Sequence, residues 1–117
     1  EYEAFQWLKI NTPEDAIVLA GIDEGNYITA ISERKNVADN IFLLAPSNRY
    51  SDMQEIFKTQ SLVKALDLIK KHNINYIYLS ENTKNRYEIG ELIYARDGIC
   101  FQKVFYTKKS ELYKIAC

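Results

Sequence analysis

Residues 3–10 place Phe5 and Leu8, with Ala4 and Trp7 beside them, at helical spacing, and Asn11-Thr12-Pro13 closes the run because the residue before proline disfavours helix. Residues 16–20 are instead continuously apolar and rich in branched side chains (Ile17, Val18, Leu19), the pattern of a strand covered on both faces. Asp23 then caps a helix over residues 24–33 with Ile28 and Ile31 inward, and residues 35–39 form a shorter strand. Residues 40–49 read as a loop. Ser51 and Gln54 have capping-box spacing and open a helix through Met53, Ile56 and Phe57.

The clearest amphipathic stretch begins at Ser61. Leu62, Ala65, Leu66 and Ile69 form its buried stripe, Lys70, Lys71 and His72 place cations where the helix dipole favours them, and Asn73 suits a left-handed cap. Residues 75–79 are the third strand, with Tyr76 and Tyr78 on one side and Ile77 and Leu79 on the other. Ser80 to Thr83 form a turn, residues 85–95 a helix weakened at Gly90, and Asp97-Gly98 a second turn. Two strands over 101–106 and 111–115 flank Thr107-Lys108-Lys109-Ser110 as a hairpin. The predicted fold class is α/β: a three-layer-like mixed sheet of about three parallel strands with helical crossovers plus a C-terminal antiparallel hairpin, all in one domain over residues 1–117.

Composition narrows the function classes. A net charge of -1, with lysine and arginine interleaved with acids, supplies no field for phosphate backbones, so nucleic acid is not expected as a partner. No stretch reaches the roughly 18 to 20 apolar residues of a membrane span. The chain starts at Glu1 without a signal pattern and runs directly into a helix, which reads as an excised piece, the soluble end of a longer protein.

The hairpin brings the two cysteines into question. With the turn centred between Lys108 and Lys109, Cys100 falls opposite Cys117 at a non-hydrogen-bonded site, close enough for a disulfide. Such a bridge implies an oxidising compartment; two unrelated free thiols are the other reading.

Asp23, Glu24, Gly25, Asn26 and Tyr27 follow the first parallel strand at the carboxyl edge, where open α/β sheets bind ligands. A polar-ligand contact is one reading; a helix cap with an acid in its first turn is the other. The acidic pair also resembles a phosphoacceptor receiver site, but the aspartate at suitable distance, Asp67, lies inside a helix. His72 is the sole histidine and has no flanking ligands at metal spacing, and only 4 glycines leave no phosphate loop, so neither metal nor cofactor is expected. Tyr76 and Tyr78 either stack on a sugar or lipid headgroup or fill half-buried sheet positions.

The segment from Trp7 to Asn40 resembles part of the extracytoplasmic C-terminal domain of oligosaccharyltransferase catalytic subunits, in the C-type glycosyltransferase superfamily. Gly21-Ile22-Asp23-Glu24-Gly25 stands in the place of that family's WWDYG motif, Asn26-Tyr27-Ile28-Thr29-Ala30 continues as the family does, and Arg34 to Val37, Asp39 and Asn40 resemble the strand beyond. Trp7 through Leu19 resembles the approach to the motif, and Tyr76-Ile77-Tyr78 and Tyr113-Lys114-Ile115 are similar to strands in soluble tails of archaeal polytopic membrane proteins. In the family the motif's two tryptophans and tyrosine help bind the hydroxyl residue of the acceptor sequon. Here those positions are Gly21, Ile22 and Glu24, and only Asp23 and Gly25 are retained.

The resemblance implies a non-catalytic domain at the extracytoplasmic face of a cell membrane. Its partners would be the membrane-embedded part of the same parent protein and a polypeptide or glycan acceptor. The family's metal-bound carboxylates and lipid-linked donor site lie outside the segment that this chain resembles. A stand-alone α/β module that senses a small polar ligand is the alternative.

Overall fold

The computed structural model describes residues 2–21, 35–36 and 47–117. Helix α1 (Tyr2–Asn11) ends where Thr12 turns its hydroxyl onto the Leu8 carbonyl at 2.5 Å, just before Pro13. Strand β1 (Ile17–Leu19) follows, and β2 (Lys35–Asn36) lies parallel to it. Helix α2 (Ser47–Lys58) starts at Ser47, not at Ser51 as the capping-box spacing predicts. Extending a helix at its start gains one backbone bond for each added residue, which favours the earlier start.

Helix α3 (Leu62–Lys71) has the ends expected of it. The Ser61 hydroxyl accepts from the Lys64 amide at 3.2 Å, and Asn73 takes a φ of 56°. That left-handed step lets the Ile74 amide reach the Ile69 carbonyl at 3.0 Å and the Asn73 amide reach Lys70 at 3.2 Å, so orphan carbonyls are satisfied while Ile74 folds into the core.

Strand β3 (Tyr76–Ser80) is buried along its whole length. The helix expected over residues 85–95 does not form. Ser80 caps an earlier, shorter helix α4 (Glu81–Arg86) by accepting from the Thr83 amide at 3.1 Å. The chain leaves α4 through Glu88 at φ 55°, with the Ile89 amide on the Lys84 carbonyl at 2.9 Å. Residues Ile93–Asp97 then make a 3-10 turn that ends at Gly98, φ 69°. A good cap at Ser80 thus outweighs the weak apolar spacing downstream.

Strands β4 (Phe101–Tyr106) and β5 (Ser110–Ile115) complete a five-stranded sheet in the order β2-β1-β3-β5-β4. β1 runs parallel to β2 and β3, while β5 runs antiparallel to both β3 and β4. Each face of the sheet is covered. Ile17, Leu19, Ile77, Leu79, Phe101 and Tyr113 pack under α2, α3 and the 3-10 turn; Val18, Tyr76, Tyr78 and Leu112 pack under Ala4, Phe5 and Leu8 of α1.

This second face decides between the two readings of the β3 tyrosines in favour of structural positions. Tyr76 and Tyr78 share a side of the strand, but they are buried, with Phe5 and Tyr78 ring centroids 5.1 Å apart and Trp7 edge-on to Tyr76 at 6.4 Å. They have no face free to stack on a sugar or headgroup. Desolvation raises the Tyr76 hydroxyl pKa above its ordinary value.

Candidate functional site

The candidate ligand residues Asp23, Glu24, Gly25, Asn26 and Tyr27 lie outside the described residues. What surrounds their point of departure is described. β1 delivers the buried Ala20 and Gly21 to the carboxyl edge of the parallel strands. Beside it β3 ends in Ser80, whose hydroxyl lies 3.2 Å from that of Thr83, and the Glu81 amide donates to the Lys109 carbonyl at 2.9 Å. Ser80, Thr83 and Ser110 are buried hydroxyls, so the described part of this edge is polar and internally bonded.

At the opposite end of the hairpin Cys100 and Cys117 form a disulfide with Cα atoms 4.7 Å apart. The register that joins them is not the simple one. Near the turn Tyr106 pairs with Glu111 and Phe105 with Leu112, but beyond a bulge at Val104 the pairs are Lys103 with Tyr113 and Phe101 with Ile115. The bulge advances β4 by one residue, so the Cys100 carbonyl accepts from the Ala116 amide at 2.7 Å, and Cys117 reaches the bridge from one position further on.

The same bulge assembles a charged cluster that sequence spacing did not reveal. Residues 103 and 106 would face opposite sides of a regular strand. Here Lys103 is paired with Tyr113 and Tyr106 with Glu111, all on the α2/α3 side of the sheet. The Glu111 carboxylate accepts from the Tyr113 hydroxyl at 2.6 Å and from Lys84 Nζ of α4 at 3.2 Å, with Lys103 Nζ at 3.9 Å. That ammonium lies 5.7 Å from the centre of the Tyr106 ring and 5.8 Å from that of Tyr113.

Burial acts most strongly on Glu111 and would raise its pKa, yet the bond from Tyr113, the bond and charge of Lys84, and the charge of Lys103 together hold it below the usual value. Tyr113 is pushed well up, by burial first and then by its bond to Glu111. Both groups therefore keep their ordinary ionisation at neutral pH.

A second cluster joins α2 to α3. Asp52 accepts from Lys71 Nζ at 2.8 Å and lies 2.9 Å from His72 Nε2, and the Lys71 bond leads the influences that lower its pKa. His72, which also ends α3, thus has a carboxylate partner besides the helix terminus. Among the described residues no group of three or more metal-ligating side chains occurs, and no helix is long and apolar enough to cross a membrane.

The surface carries shallow grooves. One of about 360 Å³, lined by Asn11, Asp15, Asn75 and Lys114, opens at the amino ends of β1 and β3, the edge opposite Gly21. Another of about 270 Å³ runs between Arg96, Phe101, Lys103 and Tyr113, and shares Glu91 and Arg96 with a third of about 350 Å³ beneath Ile89 and Ile93. Arg96 is ion-paired to Glu91 at their junction.

No protein-family model and no curated protein matches the chain. Solved structures do. The C-terminal globular domain of an oligosaccharyltransferase from Archaeoglobus fulgidus superposes with a TM-score of 0.73 at 16% identity, over 97% of this chain and 94% of that one. An oligosaccharyltransferase of the same organism, tethered by a disulfide to an acceptor peptide containing the NVT sequon, matches 99% of this chain at a TM-score of 0.60 and 18% identity. The oligosaccharyltransferase AglB from A. fulgidus, in complex with an inhibitory peptide and a dolichol-phosphate, matches 74% at a TM-score of 0.57 and 17% identity. The chain spans 18% and 14% of the length of these last two. The chain therefore has the fold of the C-terminal globular domain of archaeal oligosaccharyltransferases.

Proposed function

We propose that this chain is an accessory, non-catalytic domain of a membrane-embedded oligosaccharyltransferase-like protein, on its extracytoplasmic side, where it rests on the membrane part and helps position a polypeptide acceptor. The observation that carries this reading is the match over nearly the whole of both chains to an isolated C-terminal globular domain, which favours an accessory domain over a stand-alone sensor. The Cys100–Cys117 disulfide supports an oxidising compartment.

In this reading Asp23, Glu24, Gly25, Asn26 and Tyr27, leaving β1 at the carboxyl edge, contribute to the acceptor-facing surface. With Gly21, Ile22 and Glu24 at the aromatic positions of the family motif, this turn offers carboxylates and backbone groups in place of indole and phenol surfaces. Contact with an acceptor would be weaker and less selective for its hydroxyl residue.

Two measurements test the proposal. The gene that encodes this chain is expected to encode several hydrophobic spans upstream of Glu1, and their absence removes the reading. Amide shifts of the labelled chain titrated with an Asn-Val-Thr peptide should fall on residues 21–28 and weaken in Asp23→Ala. Shifts confined elsewhere would exclude this turn as the acceptor contact.

A further inference from the structure

We infer that the cluster of Lys84, Lys103, Tyr106, Glu111 and Tyr113 is a binding site for a neutral saccharide unit. This inference does not depend on the proposed acceptor-positioning role, because it concerns other residues on the opposite strands of the sheet.

Three observations carry it. Tyr106 is 71% exposed at the end of the edge strand β4, while the tyrosines of β3 and β5 are buried. An exposed phenol ring offers a flat apolar face that suits the C–H face of a pyranose, with a polar hydroxyl at its rim. The bulge at Val104 turns Lys103 to the same side as this ring, and bulges of this kind re-aim side chains at functional sites.

The charges then select the ligand. Glu111 supplies acceptor oxygens between two ammonium donors, Lys84 at 3.2 Å and Lys103 at 3.9 Å. An anion placed here would meet the Glu111 carboxylate, and a cation would meet two lysines. A neutral polyol uses both kinds of group at once, giving hydroxyl protons to Glu111 and accepting from lysine, each a charge-assisted bond. The Lys103–Glu111 separation is long for a direct hydrogen bond, so a ligand hydroxyl can bridge the two without breaking a short contact. The adjoining groove of about 270 Å³, which Lys103 and Tyr113 also line, provides room for a second ring.

The test is an amide-shift titration of the full chain, disulfide intact, with mannose, N-acetylglucosamine and, separately, inorganic phosphate. The sugars should move the amides of residues 103–113 with a dissociation constant on the order of millimolar. Tyr106→Ala, which truncates an exposed side chain, should weaken that binding at least about tenfold, and Tyr106→Phe should stay within about threefold. Sugar-induced shifts that are absent, lie elsewhere or survive Tyr106→Ala would overturn the inference. So would phosphate moving these amides more than either sugar, since that marks an anion site.

Discussion

Burial raises the cost of a charge, yet Glu111 titrates below its ordinary value because Tyr113 donates to it and two lysines face it. A carboxyl with a lowered folded pKa binds its proton more readily in the unfolded chain. Its stabilising contribution is therefore complete above the ordinary glutamate value and is lost as pH falls through the lower folded one. Asp52, lowered chiefly by the Lys71 bond, acts in the same direction. Urea midpoints should accordingly decline on acidification below about pH 4.5, the unperturbed glutamate value. In Glu111→Gln the decline should be shallower, and the variant should be about 1 to 2 kcal/mol less stable at pH 7, since it leaves Lys84 without its charged acceptor. An acid slope identical to that of the parent chain would show that Glu111 contributes none of it. Glu111 and Tyr113 are adjacent on one face of a strand and so were open to reading from sequence. Lys84 was not, because α4 brings it from 27 positions away.

At the scale of elements, ends were more legible than middles. Ser61 and Asn73 bound α3 as their side chains predict, because a cap is a local contest between neighbouring backbone and side-chain groups. The segment after Ser80 was misjudged for the same reason. Its cap lies one turn upstream of the expected helix, and Glu88 pays the cost of a left-handed step that residue type alone does not advertise. Two of the described glycines, Gly90 and Gly98, differ in a way that sequence cannot show. Gly98 has a φ of 69°, and a Cβ there meets no atom within 4 Å; Gly90 also has open space around it and no positive φ. Gly98→Ala should therefore cost about 1 kcal/mol through backbone strain alone, while Gly90→Ala should stay within about 0.5 kcal/mol of the parent. Equal denaturation midpoints for the two variants would contradict this.

For the whole molecule, the disulfide closes the hairpin at its open end, across a separation of 17 residues. Closing a loop of about this length removes roughly 3 kcal/mol of unfolded-state entropy, so reduction, or Cys100→Ser with Cys117→Ser, should lower stability by about that amount. Loss well under about 1 kcal/mol would mean that the β5 pairing with β3 already holds the chain end in place. The bridge also shows how local and global information divide. A two-residue turn at Lys108-Lys109 was legible, and so was the proximity of the two cysteines. The bulge at Val104, which sets the actual register, follows from packing Phe105 and Leu112 under α1 while Phe101 and Tyr113 pack under the opposite layer. By itself, the sequence determined the α/β alternation, the caps of α3 and the two sides of β3, because periodicity and capping depend on residues within a few positions of one another. Only the tertiary structure decided that Tyr76 and Tyr78 are core, that Tyr106 is surface, and that Lys84, Lys103 and Glu111 meet, because strand register and layer packing are settled between segments far apart in the chain.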